Sequence, residues 1–232
     1  MAAPATPPRR GLALFDLDHT LLPIDSDYSW GVFTQTLGWT DPVEFRRQND
    51  AFYEHYNAGT LDIHDYVRFA TQAVRQHGPQ QAALAHERFM RDVVGPELLP
   101  QALDLLRGHQ RRGDEVVIVT ATNEFVTRPI ALAFGVEELI AVELERGPDG
   151  WITGEIRGVP SARDGKVTRV EQWLAARGLG WGDRETTFYS DSFNDIALLE
   201  RVEHPVATNP DARLRAIAQA RGWRILELFD KK

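Results

Sequence analysis

Gly11 to Leu22, GLALFDLDHTLL, is the stretch whose reading decides the fold. Leu12, Ala13, Leu14 and Phe15 form an apolar run without alternation, as expected of a strand covered on both faces. The run leads straight into Asp16 and Asp18, followed by His19 and Thr20. In an open α/β sheet, ligands bind outside the carboxyl ends of such strands, so the acids stand where a site would be. Two close carboxylates repel, and the repulsion is relieved by a divalent cation or by a proton on one of them. A solvated strand end is the plain alternative, and the rest of the chain decides between the two.

Composition narrows the field. A chain of 232 residues, 43% of them hydrophobic, can bury a sizeable core as one domain with a large insertion or as two domains. The net charge of -8 argues against a nucleic-acid or anionic-membrane partner. The pairs Arg9–Arg10, Arg46–Arg47 and Arg111–Arg112 are scattered and read as solvated faces. With no cysteine there is neither a disulfide framework nor a thiolate site, and any metal must be held by oxygen or imidazole. Residues 1–10 read as a disordered tail, since MAAPATPPRR lacks the apolar stretch of a signal peptide. No run approaches the ~18 apolar residues of a membrane helix. The cytoplasm is the default compartment.

Beyond Leu22 the pattern turns helical. Ser26 to Leu37 carries Tyr28, Val32 and Phe33; Asp41-Pro42-x-Glu44 is a helix start, closed by Gly59; Asp62 to His77 repeats the form up to Gly78, and Gln80 to Val94 ends at Gly95-Pro96. From Leu98 strand and helix alternate. EVVIVT, Glu115 to Thr120, is a second buried strand, and Asn123 caps a helix that Pro129 interrupts or kinks. Leu139 to Ile156 reads as a hairpin with Gly147-Pro148-Asp149-Gly150 at its tip. A helix from Asp164, strand Thr186–Tyr189, a helix from Asn194, strand Pro205–Ala207, a helix from Asp211 and a last strand near Arg224 complete the chain. Alternation of this kind implies right-handed crossovers and a Rossmann-like, mostly parallel sheet flanked by helices. The expected division is 11–22 with 98–232 as an α/β core, and 23–97 as an inserted all-helical cap above the acids.

Three later segments fall at the same sheet edge. Thr120, Ala121, Thr122 and Asn123 offer hydroxyls and backbone N–H groups at a helix start, a cradle for an anion. Lys166, in Asp164-Gly165-Lys166, stands in a first helical turn, where the dipole disfavours a cation unless a negative partner is near. Asp191 and Asp195 add two carboxylates beside Ser190, Ser192 and Asn194. Oxygen ligands without cysteine favour Mg²⁺, which bridges carboxylates to phosphate.

FDLDHTLL, Thr120, Lys166 and Asp191-x-x-Asn194-Asp195 resemble, in order, the four motifs of the haloacid dehalogenase superfamily. The helical block between the first two motifs resembles subclass I, and the Asp191 segment its phosphoserine-phosphatase-like branch. The resemblance implies a phosphomonoesterase of small metabolites. Asp16 would be the nucleophile that forms an aspartyl-phosphate, and Asp18 the acid and then base. Thr120, the amide of Ala121 and Lys166 would hold the phosphoryl group. Asp16, the carbonyl of Asp18, and Asp191 would ligate Mg²⁺, with Asn194 and Asp195 in support. Phosphate monoesters are among the slowest substrates to hydrolyse in water, so charge neutralisation and positioning must do most of the work.

The chain departs from that branch in having Thr120-Ala121-Thr122 where serine and two glycines are usual, which puts phosphoserine itself in doubt. Asp25 stands where the branch has an acid for a substrate ammonium, pointing to an amino-bearing ester such as phosphoserine or histidinol phosphate; equally, it can cap the first helix. His19 would line the entrance. Among other classes, a phosphotransferase or mutase uses the same residues with a different acceptor. A receiver-like signalling phosphoacceptor lacks the helical insertion, and a calcium loop fails because Leu21 stands where glycine is needed.

Overall fold

The computed structural model describes residues 9–58 and 60–229. Its centre is β1, Arg10–Phe15. Leu12 and Leu14 pack into one apolar cluster and Ala13 and Phe15 into another on the opposite face, all of them buried. β1 pairs in parallel with β2, Glu115–Asn123, and with β6, Arg184–Ser190. Outside these lie β3, Glu138–Val142, then β7, His204–Thr208, and β8, Arg224–Leu226, giving the order β3-β2-β1-β6-β7-β8. All of the pairs are parallel. The chain leaves β1 towards β2 and returns on its other side as β6, so the crevice between the carboxyl ends of β1 and β6 is the switch point.

Helices cover both faces. On one, α5, Pro100–Arg112, and α6, Glu124–Ala133, insert Ala102, Leu106, Val126 and Ile130. On the other, α7, Asp164–Ala175, α8, Ile196–Arg201, and α9, Ala212–Arg221, insert Val170, Leu174, Leu198 and Leu214. None of the helices is long and apolar enough to cross a membrane, among the described residues.

Between β1 and β2 the described residues form helices and no strand that joins either sheet: α1, Ser26–Thr36; α2, Pro42–Ala58; α3, Ile63–Ala70; α4, Gln72–Phe89; then a π turn, Met90–Val94. Asp41 and Asp62 cap α2 and α3 through main-chain N–H groups. The segment expected as one helix from Asp62 to His77 is broken at Thr71, whose hydroxyl bonds back to the Val67 carbonyl (2.7 Å). α4 then bends at Gly78, where φ 74° and ψ 173° exclude a side chain. Trp30, Phe33, Val74 and Phe89 from this block share one apolar cluster with Phe15 and Leu106.

Other boundaries also differ from the expectation. The hairpin expected from Leu139 is only β4, Leu144–Arg146, with β5, Ile152–Ile156. Leu139 to Val142 belongs instead to β3, an edge strand paired in parallel with β2, in which Ile140, Ala141 and Val142 are all buried. β2 runs three residues past Thr120, with a register shift against β3 between Val119 and Asn123. α6 passes through Pro129 as one helix. Of the expected tail, residues 1–8 lie outside the described residues, as does Gly59. Arg9 and Arg10 are ordered, because Arg9 pairs with Glu203 (2.7 Å) and Arg10 donates to the Gly113 carbonyl (3.0 Å).

Candidate active site

Asp16 immediately follows β1, and its main-chain N–H still donates to Tyr189 O of β6 (2.9 Å), which fixes the carboxylate at the strand end. Lys166 arrives from α7. Gly165 makes this possible: a Cβ there would lie 2.1 Å from Pro160 O, so only glycine lets the first helical turn press against that loop. Lys166 is 2% exposed, and its Nζ donates to Asp16 Oδ1 and Asp195 Oδ2, both at 2.7 Å. Burial alone would push its pKa down, but the two carboxylates reverse this and keep the ammonium charged. Asp195 also accepts from Ser190 Oγ (2.7 Å); burial raises its carboxyl to about 6 against the pull of Lys166.

Asp191 follows β6. Its N–H donates to Thr20 Oγ1 (3.0 Å), and that hydroxyl lies 3.2 Å from Asp191 Oδ1 and 3.4 Å from Asp16 Oδ2. Thr20 thus ties the first acidic turn to the last. The Asp191 carboxyl is pushed well above the usual range by burial and by Asp16 and Asp195. Asp18 is held differently: Ser26 N donates to Oδ1 (2.8 Å) and Thr122 Oγ1 to Oδ2 (2.9 Å). Burial and the neighbouring Asp25 raise it to about 8, with the Ser26 hydrogen bonds opposing. Thr122, whose hydroxyl the sequence offers to an anion cradle, instead grips Asp18.

The Thr120 hydroxyl accepts from Thr122 N (3.1 Å), so its own proton remains to donate, and Ala121 is half-buried between them. Asn194 directs its N–H to Ser192 Oγ (3.2 Å). Asp25 accepts from Tyr28 N (2.9 Å) as the cap of α1. His19 is exposed at φ 56°, its carbonyl accepting from Asn209 Nδ2 (3.0 Å). The structure therefore brings Asp16, Asp18, Thr120, Lys166, Asp191 and Asp195 to one sheet edge. Residues the sequence did not single out join them: Asn209 clamps the Asp18–Thr20 turn, and Asp211 N–H donates to Asp191 O (2.8 Å). Asp27, raised to about 7 by burial and Asp25, accepts from Asn123 Nδ2 (3.3 Å), and Tyr66 bonds to it. Tyr56 of α2 reaches Ser192 Oγ (3.3 Å) across the mouth.

Three carboxylates, Asp16, Asp191 and Asp195, surround one ammonium and leave excess negative charge. Among the described residues no three acidic or imidazole side chains converge as a complete ligand set. The arrangement nevertheless fits Mg²⁺, which takes one or two carboxylates and fills its shell with water, carbonyl and phosphate oxygens.

A parallel sheet with this carboxylate and lysine cluster at its switch point defines an enzyme of the α/β class. Residues 13–200 match the haloacid dehalogenase-like hydrolases, and the chain belongs to that family. It is 40% identical, over 94% of its own length and 98% of the relative's, to a protein of Neisseria meningitidis serogroup C (strain 8013) named histidinol-phosphatase. A Bordetella pertussis Tohama I protein of unknown function superposes at a TM-score of 0.90 with 54% identity, over 96% of this chain and 100% of that one. A phospho-aspartyl intermediate analogue of phosphoserine phosphatase, 17% identical, shares the fold at a TM-score of 0.65 over 96% and 95% of the two chains.

Proposed function

We propose that this enzyme is a Mg²⁺-dependent phosphomonoesterase acting on a small amino-bearing ester, with histidinol phosphate the first candidate, through an aspartyl-phosphate on Asp16. The observation that carries the reading is the buried ammonium of Lys166 held between Asp16 and Asp195 at 2.7 Å. A carboxylate nucleophile beside a phosphate dianion is repelled unless fixed positive charge stands next to both.

In this reading Asp16 attacks phosphorus while Lys166 and the Thr120 hydroxyl hold the phosphoryl oxygens. Asp18, fixed by Ser26 and Thr122, gives its proton to the leaving alkoxide and then takes one from the water that attacks the acyl phosphate. Asp16, Asp191 and the carbonyl of Asp18 would hold Mg²⁺, which supplies charge neutralisation at the phosphoryl group. Asn194 and Asp195 support this arrangement, the latter by fixing Lys166. The helical block, 23–97, serves as the cap that excludes water.

The substrate reading rests on the relative named histidinol-phosphatase and on Asp25, whose charge bears on both Asp18 and Asp27 and suits a cationic nitrogen. A panel of histidinol phosphate, phosphoserine, sugar phosphates and nucleotides tests it. Histidinol phosphate should give the highest kcat/KM, and a preference for uncharged sugar phosphates would overturn the amine assignment.

A further inference from the structure

A second cluster of charge lies on one face of the sheet, away from the catalytic acids. Where β7 and β8 begin, alongside the second half of β6, this face opens into a cavity of about 560 Å³ walled by α5 and by Trp223. The register aligns its floor: Thr187 stands opposite His204, and Tyr189, Val206 and Arg224 form the next cross-strand row. His109 and Tyr189 are buried there, Tyr189 hydroxyl and His109 Nε2 sharing a hydrogen bond at 2.8 Å.

Most of the cavity's charges are already paired, His204 with Glu185 (3.1 Å) among them. Arg112 Nη2 lies 2.7 Å from His109 Nδ1, and Arg224 lines the same cavity; burial, Arg112 and Arg224 all lower the pKa of His109. Asp114 is already shared by His109 (2.7 Å) and Arg112 (3.1 Å). Glu203, which also lines the cavity, is engaged by Arg9. Arg224 has no ion pair among the described residues. The unpaired fork of Arg224, beside a hydrogen-bonding floor and next to the rim guanidinium of Arg112, forms a receptor for an oxyanion in a chain of net charge -8.

We infer that this cavity, framed by Arg112, Arg224, His204 and Trp223, binds a phosphate-bearing small molecule on the face of the sheet where β7 and β8 begin. A phosphate or its monoester carries between one and two negative charges at neutral pH and accepts hydrogen bonds from a guanidinium fork such as that of Arg224. Trp223 offers a flat wall on which an organic substituent can lie. The floor is joined to the catalytic edge: Tyr189 stacks on Phe15 with centroids 4.5 Å apart and planes at 6°. Phe15 precedes Asp16, and Tyr189 lies two residues before Asp191. A ligand that orders Tyr189 therefore bears on both strands that carry the catalytic carboxylates.

The inference is independent of the activity proposed above, because binding is read in protein that cannot turn over. Inorganic phosphate and phenyl phosphate are titrated into the Mg²⁺-loaded Asp16→Asn variant and followed by the ring-proton resonances of histidine, His204 being assigned through His204→Gln. The His204 and His109 signals should shift saturably. Arg224→Ala should weaken that binding by about tenfold or more, the loss of one charge-assisted contact. Arg224→Lys should restore part of it. Turnover of p-nitrophenyl phosphate by Arg224→Ala, without added phosphate, should stay within about twofold of wild type. Equal affinity for the two probes would mark inorganic phosphate as the ligand; tighter phenyl phosphate, levelled by Trp223→Leu, would mark an organic phosphate. Absence of a saturable shift, or an undiminished shift in Arg224→Ala, would overturn the site.

Discussion

At the carboxyl ends of β1 and β6, Asp16, Asp191 and Asp195 crowd around the single ammonium of Lys166, with Asp18 close by. Where β7 and β8 begin, Arg112 and Arg224 face a cavity whose nearby acids are already engaged. β6 joins the two regions, yet burial differs. Lys166, Asp16 and Asp195 are almost wholly buried, whereas Arg112 and Arg224 are exposed. Charges excluded from water interact strongly and cannot be removed singly without leaving a partner unpaired. Charges at an exposed rim are screened and tolerate removal. One sheet thus carries a preorganised reactive site at its carboxyl edge and, in our inference, a surface receptor where β7 and β8 begin.

That contrast orders the expected effects. Lys166→Ala should lower kcat/KM on the order of 10²–10³-fold, as for loss of a donor aimed at developing charge. Arg224→Ala, by comparison, should leave it nearly unchanged. A loss of less than tenfold for Lys166→Ala would erase the distinction between the two regions. Removal of divalent cation with EDTA should abolish turnover and Mg²⁺ should restore it. In a thermal melt, Mg²⁺ at 100 times its Kd should stabilise the fold by about 2.7 kcal/mol. An unchanged melting curve would remove Asp191 from the ligand role.

Smaller effects probe how Asp18 and Asp27 are held. Thr122→Val deletes one of the two hydrogen bonds to Asp18, about 1.4 kcal/mol, and should cost about tenfold in kcat with KM little changed. Asp27 is pushed up to about 7 by burial and Asp25. Its folded-state pKa lies above the unfolded value near 3.9, so its contribution is fully present below that value and is lost as pH rises towards 7. Urea titrations should show stability falling across that window by at most about 1.4 kcal/mol per pH unit from this group, and Asp27→Asn should flatten the slope. An identical slope in the variant would show that Asp27 does not titrate there.

Much of the catalytic edge was legible in the sequence because its acids sit at strand ends and its lysine in a first helical turn, positions that local pattern identifies. The motif spacing alone puts Asp16, Asp18, Lys166, Asp191 and Asp195 at one edge. It did not show that Thr122 grips Asp18 or that Thr20 bridges Asp16 and Asp191, since these bonds join segments more than a hundred residues apart. The start of β3 reads as part of a hairpin because a continuous apolar run has no alternation to separate it from the turn that follows. The break at Thr71 was hidden because a continuous apolar stripe carries no sign that a hydroxyl will turn back on Val67. The cavity where β7 and β8 begin was invisible for the same reason as Thr122: Arg111–Arg112 alone is a solvated pair, and only the sheet brings Arg224 beside it.

Acid-quenched turnover followed by peptide mass spectrometry tests the central claim most directly. Protein stopped during hydrolysis of p-nitrophenyl phosphate should carry the phosphoryl group on the peptide containing Asp16, and Asp16→Asn should carry none and be inactive, with its fold intact. A phosphoryl group on another residue, or substantial turnover by Asp16→Asn, would contradict the account.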